Sequence, residues 1–439
     1  MQYDLLITNS TILPLADDSA ECIARGYLAI SGEEIVALGP MNELPANATA
    51  GTTIDGTGTL TMPGLVNTHN HAAMTLFRGL ADDLPLMEWL NNHIFPAEAK
   101  FVNHEMVYWC SKLAAAEMIR SGTTCVADGY FHEDAAAGAF RDAGIRAVAA
   151  QGVVDFPAPG VPNPTENINA VEQFIETWQG KDPLITPAIF CHAPYTCSPE
   201  TLQRGKELAG ERKVPFFIHL AETEFEVQES IRQHGVTPTR HLYRLGVLDQ
   251  NTIAAHCVWL NDEDRQLLAE TGAKVASCPG SNMKLAAGIA PLAELHRQGT
   301  AIGLGTDGCA SNNNLDLFEE MDLAGKLQKT KHLDPTLLPA ADILKMATST
   351  GARVLGLGEQ TGSLTVGRKA DCIMLDLNQA NLTPFYGPTL LPTAASGHDV
   401  RTTIINGRLV MHDRRMLYFD EAETMAKVRE LAGKVRIPT

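Results

Sequence analysis

The sequence predicts an α/β fold: a (β/α)8 TIM barrel carrying a small β-sandwich domain built from both chain ends. Three observations predict it. Eight short apolar runs alternate with helical stretches through the middle of the chain. β-Branched segments punctuated by Gly, Asn and Asp occupy both ends, and ionisable side chains recur where the central apolar runs stop. Eight strands separated by helices imply parallel pairing with crossovers, and a closed barrel is the solution that removes both sheet edges. An open doubly wound sheet is the structural alternative. The expected division is 1–62 for the first part of the β domain, 63–364 for the barrel, and 365–439 for the second part with a C-terminal helix.

Residues 4–13, 26–39 and 52–61 read as strands, and a similar texture returns at 369–377 and 400–411. An amphipathic helix is expected over 421–434. In the barrel, Pro63-Gly64 opens the first strand, 64–68. The others are 123–128, 147–154, 184–191, 215–219, 252–256, 274–278 and 300–306. Helical stretches such as 106–120, 166–179, 199–211 and 262–271 lie between them. The string Gly303-Leu304-Gly305-Thr306-Asp307-Gly308 matches a dinucleotide-binding G-x-G-x-x-G. Cys309-Ala310-Ser311-Asn312-Asn313-Asn314 follows it, which is loop chemistry rather than an immediate helix, so the match is discounted.

At 439 residues, 45% hydrophobic and 20% charged, the chain can bury a large core. Lys plus Arg number 34 against 52 Asp plus Glu, a formal charge of -18, which disfavours a nucleic-acid surface. Nine scattered cysteines with no C-x-x-C pair suit a reduced compartment. Neither a signal peptide nor a bilayer-length apolar run is evident, so a cytoplasmic protein with no membrane partner is expected.

Chemistry concentrates at the strand ends. His69 and His71, one residue apart, point to the same side of the first strand, a spacing that suits a metal site. By itself H-x-H is a weak signal. Strand four ends in Phe190-Cys191-His192, strand five in Phe217-Ile218-His219 with Glu222 three residues on, strand six in His256, and strand eight in Asp307. Barrel enzymes take their catalytic groups from the carboxyl ends of several strands.

This order of residues resembles the amidohydrolase superfamily. The strings PGLVNTHNHAAMTLFRGLADD, HLAETEFE and GLGTDG are similar to its aminohydrolases and chlorohydrolases acting on purines and triazines, and above all to 5'-methylthioadenosine/S-adenosylhomocysteine deaminases. The resemblance covers nearly the whole chain. Carried over by position, it implies His69, His71, His219 and Asp307 as ligands of one divalent metal per subunit, zinc with iron as the alternative. Binuclear relatives place a lysine at the end of the fourth strand, where this chain has none. Glu222 would move protons between water and the substrate ring, Asp307 would touch metal and water, and His256 would orient the nucleophile and stabilise the tetrahedral state. A plainer role for Glu222 is an acid at a helix N-terminus. Glu224, Glu226 and Glu229 are expected to be solvated.

By the same resemblance Glu98 binds the ribose diol and His192 the substrate. Trp89, Leu90 and Phe95 are candidates for an apolar wall, although helix packing explains them equally. The implied reaction converts a 6-aminopurine nucleoside to its 6-oxo counterpart plus ammonia. 5'-Methylthioadenosine is the expected substrate, with S-adenosylhomocysteine and adenosine as further ones, in a homo-oligomer (dimer or tetramer). Guanine deamination, triazine dechlorination and a non-catalytic scaffold are the alternatives. Some family members bind the homocysteine carboxylate with two arginines between strands three and four. Residues 147–191 contain no Arg, and the linker 156–164 is apolar and rigid instead. Arg78, Arg120 and Lys284 are the candidates to replace them.

Overall fold

Eight parallel strands pair in sequence order in the computed structural model, which describes residues 2–16 and 20–435. They are Leu65–Asn70, Thr123–Tyr130, Arg146–Val153, Ile185–Cys191, Phe216–Leu220, Thr252–His256, Lys274–Ser277 and Ile302–Leu304, barrel strands one to eight. Strand one is buried at every position, as expected for a parallel strand covered on both faces. The helix His104–Arg120 returns the chain from strand one to strand two. It starts at Asn103, whose side chain accepts the Met106 N–H at 3.1 Å and so satisfies one of the free donors of the first turn.

Strand eight closes onto strand one. The Asp307 N–H donates to the His69 carbonyl at 3.0 Å, and Asn67 Nδ2 donates to Thr306 Oγ1 at 2.8 Å. Glycine is required at this seam. A Cβ on Gly303 would lie 2.4 Å from the Thr68 methyl, and one on Gly305 would lie 2.8 Å from the His69 backbone nitrogen. The G-x-G spacing therefore serves close approach of two strands and not a phosphate. The nearly closed ring also decides against the open sheet.

The two chain ends meet in a single nine-stranded mixed sheet. Thr59–Pro63, just before strand one, runs antiparallel to Cys372–Asp376, just after the barrel. The expected sandwich is thus one continuous sheet. It encloses a core in which Leu5, Ile7, Leu28 and Ile35 meet Cys372, Met374 and Ile404. The C-terminal helix Glu421–Ala432 is held to the barrel by Arg120, whose Nε reaches Glu421 at 2.6 Å. Among the described residues, no helix is long and apolar enough to cross a membrane.

A buried ion pair ties sheet to barrel. Arg146, at the start of strand three, donates to both Asp371 oxygens at 2.7 and 3.1 Å and to Asn406 at 3.0 Å. Asp371→Ala is expected to lower stability by about 3–5 kcal/mol, because it strands a guanidinium out of water. The check is the shift in the chemical denaturation midpoint, and a change near zero would show that the guanidinium finds another partner.

Candidate active site

The carboxyl ends of the strands converge as a set of ring nitrogens and one carboxylate. His219 Nε2 lies 3.2 Å from His69 Nε2, and Asp307 Oδ1 lies 3.4 Å from His69 Nε2 and 3.3 Å from His71 Nε2. His69, His71 and His219 form one group with metal-ligand spacing, and His69, His256 and Asp307 form an overlapping one. The imidazoles are buried, which pulls the His69 pKa down to about 4 despite the Asp307 hydrogen bond and drives that of His219 well below its usual range. Burial opposes ionisation of Asp307 too, but its contacts with His69 and the neighbouring His71 and His256 hold it ionised, well below the usual carboxylate range. Neutral imidazoles and an ionised carboxylate are the forms that bind a divalent cation.

Two further observations fit a cation at this point. The His69 and His219 Nε2 atoms face each other at 3.2 Å and can share one electrophile, a proton or a metal ion. The outer atoms also turn the ligands inward. His71 Nδ1 donates to the Gly129 carbonyl at 2.5 Å, which leaves the Nε2 lone pair free. Asp307 Oδ2 accepts from the hydroxyls of Ser281 at 2.7 Å and Ser311 at 2.6 Å, while Oδ1 accepts the Gly308 N–H at 2.8 Å and faces the imidazoles. The residues present can hold one divalent metal as three nitrogens and one oxygen.

Glu222 and His256 sit beside this group, with His256 Nε2 3.9 Å from Glu222 Oε2. Asn282 Oδ1 accepts from His256 Nδ1 at 3.0 Å and so turns Nε2 towards Glu222. Burial raises the Glu222 pKa, with the Asp307 charge adding to it and His256 opposing. For His256, burial is outweighed by the Glu222 and Asp307 carboxylates, and its pKa rises. His256 (φ 68°) and Asp307 (φ 60°) both hold left-handed backbone, a cost of roughly 1–3 kcal/mol each that is characteristic of active sites.

One expectation is overturned here. Glu226 is buried, and its carboxylate accepts the N–H groups of Ala221 at 2.8 Å and Glu222 at 2.9 Å. Glu226 is therefore the brace that fixes the backbone of Glu222, whereas Glu224 stays exposed.

A cavity of about 470 Å³ opens above these groups, ample for a small organic molecule. Its wall includes Trp89, Leu90, Phe95, Phe156, Pro157 and Pro159. The Phe95 and Phe156 rings are tilted together at 5.8 Å. Glu98 and His192 also line it. His192 Nδ1 lies 3.0 Å from Thr196 Oγ1, and burial together with the neighbouring His71 and His69 lowers its pKa to about 3.

No Lys or Arg is among the described residues lining the cavity. The candidate replacements are engaged elsewhere: Arg78 with Glu117, Arg120 with Glu421, and Lys284 with Asp82 at 2.6 Å. Sequence reasoning missed Tyr130, Asn282, Ser281 and Ser311. Strand seven carries no histidine or carboxylate at its end, so Ser281-Asn282 beyond it drew no notice. The signal that would have found them is polar residues after each of the eight strands, not charged ones alone.

The Amidohydrolase family model matches residues 60–410. A 5-methylthioadenosine/S-adenosylhomocysteine deaminase of Syntrophobacter fumaroxidans is 50% identical over 99% of this chain and 98% of its own. A 5'-deoxyadenosine deaminase of Methanothermobacter thermautotrophicus is 44% identical over 98% and 99%. The crystal structure of an adenosine deaminase from Xanthomonas campestris with bound zinc superimposes with a TM-score of 0.96 at 38% identity, covering 99% of this chain and 98% of that one.

Proposed function

The chain belongs to the amidohydrolase family, and on that premise we propose that it hydrolyses 6-aminopurine nucleosides with an uncharged 5' substituent, chiefly 5'-methylthioadenosine, to the 6-oxo nucleoside and ammonia. The observation that carries this reading is one cavity with two kinds of wall. Its floor has the metal-binding imidazoles, Asp307 and Glu222, and its side has a buried carboxylate, Glu98, among aromatic and proline residues. A carboxylate in an apolar wall has the acceptor capacity that a vicinal diol needs. Guanine and triazines offer no such diol. The names of the relatives and the zinc in the Xanthomonas structure support the same reading.

His69, His71, His219 and Asp307 would hold one zinc ion, and strand four, ending at Cys191, is followed by a histidine where a second ion would need a lysine. When bound, the ion supplies the Lewis acidity that lets water act as a nucleophile near neutral pH. Glu222 accepts a proton from the attacking water and passes it to the purine ring nitrogen beside the amino-bearing carbon, so that negative charge does not build up in the ring. His256, aimed by Asn282, hydrogen-bonds the oxygen that adds to the ring. Glu98 receives the ribose hydroxyls, and His192 contacts the nucleoside from strand four. The second proton leaves with the amino group as ammonia.

An ammonia-release screen across adenosine, 5'-methylthioadenosine, S-adenosylhomocysteine, guanine and a chlorotriazine tests the reading. Without a cation in the cavity, the homocysteine carboxylate loses a charge-assisted, bidentate partner. We expect kcat/KM for 5'-methylthioadenosine to exceed that for S-adenosylhomocysteine by about tenfold or more. Equal or reversed constants would mean that a cation reaches the cavity from outside the described chain. Activity confined to guanine or the triazine would overturn the nucleoside reading altogether.

A further inference from the structure

We propose that Tyr130 is the positioning residue that sets recognition of the ribose diol, by pinning the Glu98 carboxylate to the end of barrel strand two. The proposal rests on the ribose-binding reading of Glu98. Glu98 is carried not by a barrel strand but by the helix Phe95–Phe101. A four-residue helix, Leu86–Trp89, and a π-helical turn, Leu90–Ile94, lead into it. A π-turn rotates the residues beyond it relative to an ordinary helix and is frequent at functional sites. A carboxylate on such an excursion needs an external reference to keep its place.

Tyr130 supplies that reference. It is the last residue of strand two, buried, with its ring tilted against His71 at 6.3 Å and Phe131 at 5.3 Å between centroids. Its hydroxyl donates to Glu98 Oε1 at 2.7 Å. Among the described residues it is the sole hydrogen-bond donor recorded for that carboxylate. A carboxylate has about four acceptor positions. The tyrosine uses one, which leaves the remainder for the two hydroxyls of a diol. The hydroxyl also offsets part of the burial that pushes the Glu98 pKa up to about 7. Both effects act on the riboside, and neither touches the reacting carbon.

The test compares wild type and Tyr130→Phe with adenosine and 2'-deoxyadenosine. The variant keeps the ring and its packing and removes the hydroxyl alone. For adenosine, KM should rise about tenfold with kcat changed less than about twofold, the size of one lost charge-assisted hydrogen bond. For 2'-deoxyadenosine the change should be small, so the preference for the ribose substrate contracts by nearly the same tenfold. In Glu98→Gln/Tyr130→Phe, adenosine turnover should be no worse than in Glu98→Gln alone, because Tyr130 works through Glu98. Equal losses on both substrates, or losses that multiply in the double variant, would overturn the proposal. A wild-type enzyme that does not distinguish the two nucleosides would instead overturn the ribose-binding reading of Glu98 itself.

Discussion

Glu222→Gln is expected to lower kcat by at least about a hundredfold, with metal content and substrate binding close to wild type. Glutamine nearly matches glutamate in shape but cannot carry a proton from water to the ring nitrogen, and general acid–base catalysis of this kind contributes roughly 10²–10⁴-fold. The plainer role is an acid at a helix N-terminus, and the capping part of that role falls to a neighbour. The helix after strand five is Glu224–His234, and its N-cap is Thr223, whose side chain accepts the Glu226 N–H. The Ala221 and Glu222 N–H groups are satisfied by Glu226. The Glu222 carboxylate is thus free of backbone duty, lines the cavity, and lies 3.9 Å from His256. Pre-steady-state and steady-state ammonia release, with elemental analysis of the same sample, measures the effect. A variant with near-normal turnover would return Glu222 to a structural role.

The barrel was legible because parallel strands covered on both faces are continuous apolar runs, and each of the eight left such a run. The strand-end histidines were legible for a related reason: an ionisable residue after an apolar run breaks the pattern of a core. What could not be read was geometry set by contact across distant segments. Gly303 and Gly305 resembled a phosphate loop, and only the approach of strand eight to strand one shows why a side chain is excluded there. Glu226 was lost in an acidic stretch, although it is the third residue of the helix capped by Thr223, a position from which a carboxylate reaches back to the chain before the helix. Tyr130 looked like one more aromatic residue at a strand end. Its pairing with Glu98 joins two segments 32 residues apart, and no local pattern encodes it.

Asp307→Asn is expected to reduce turnover to background and bring metal content well below one ion per chain. Asparagine tolerates the left-handed backbone that Asp307 adopts at φ 60°. The backbone N–H bond to the His69 carbonyl that closes the barrel does not involve the side chain, so the fold should persist. What is lost is the negative charge that faces the His69 and His71 nitrogens. Asp307 Oδ1 faces Nε2 of both His69 and His71, and a neutral amide oxygen there is a much poorer partner for a divalent cation. Changes to groups that only orient metal ligands typically cost 10–100-fold. Loss of the anionic ligand itself should exceed that, and His69→Ala should behave alike by removing a nitrogen donor. Wild-type protein should carry about one ion per chain. Two ions per active chain would overturn the single-metal reading. An Asp307→Asn protein that keeps both its ion and its turnover would show that the three histidines suffice without the carboxylate.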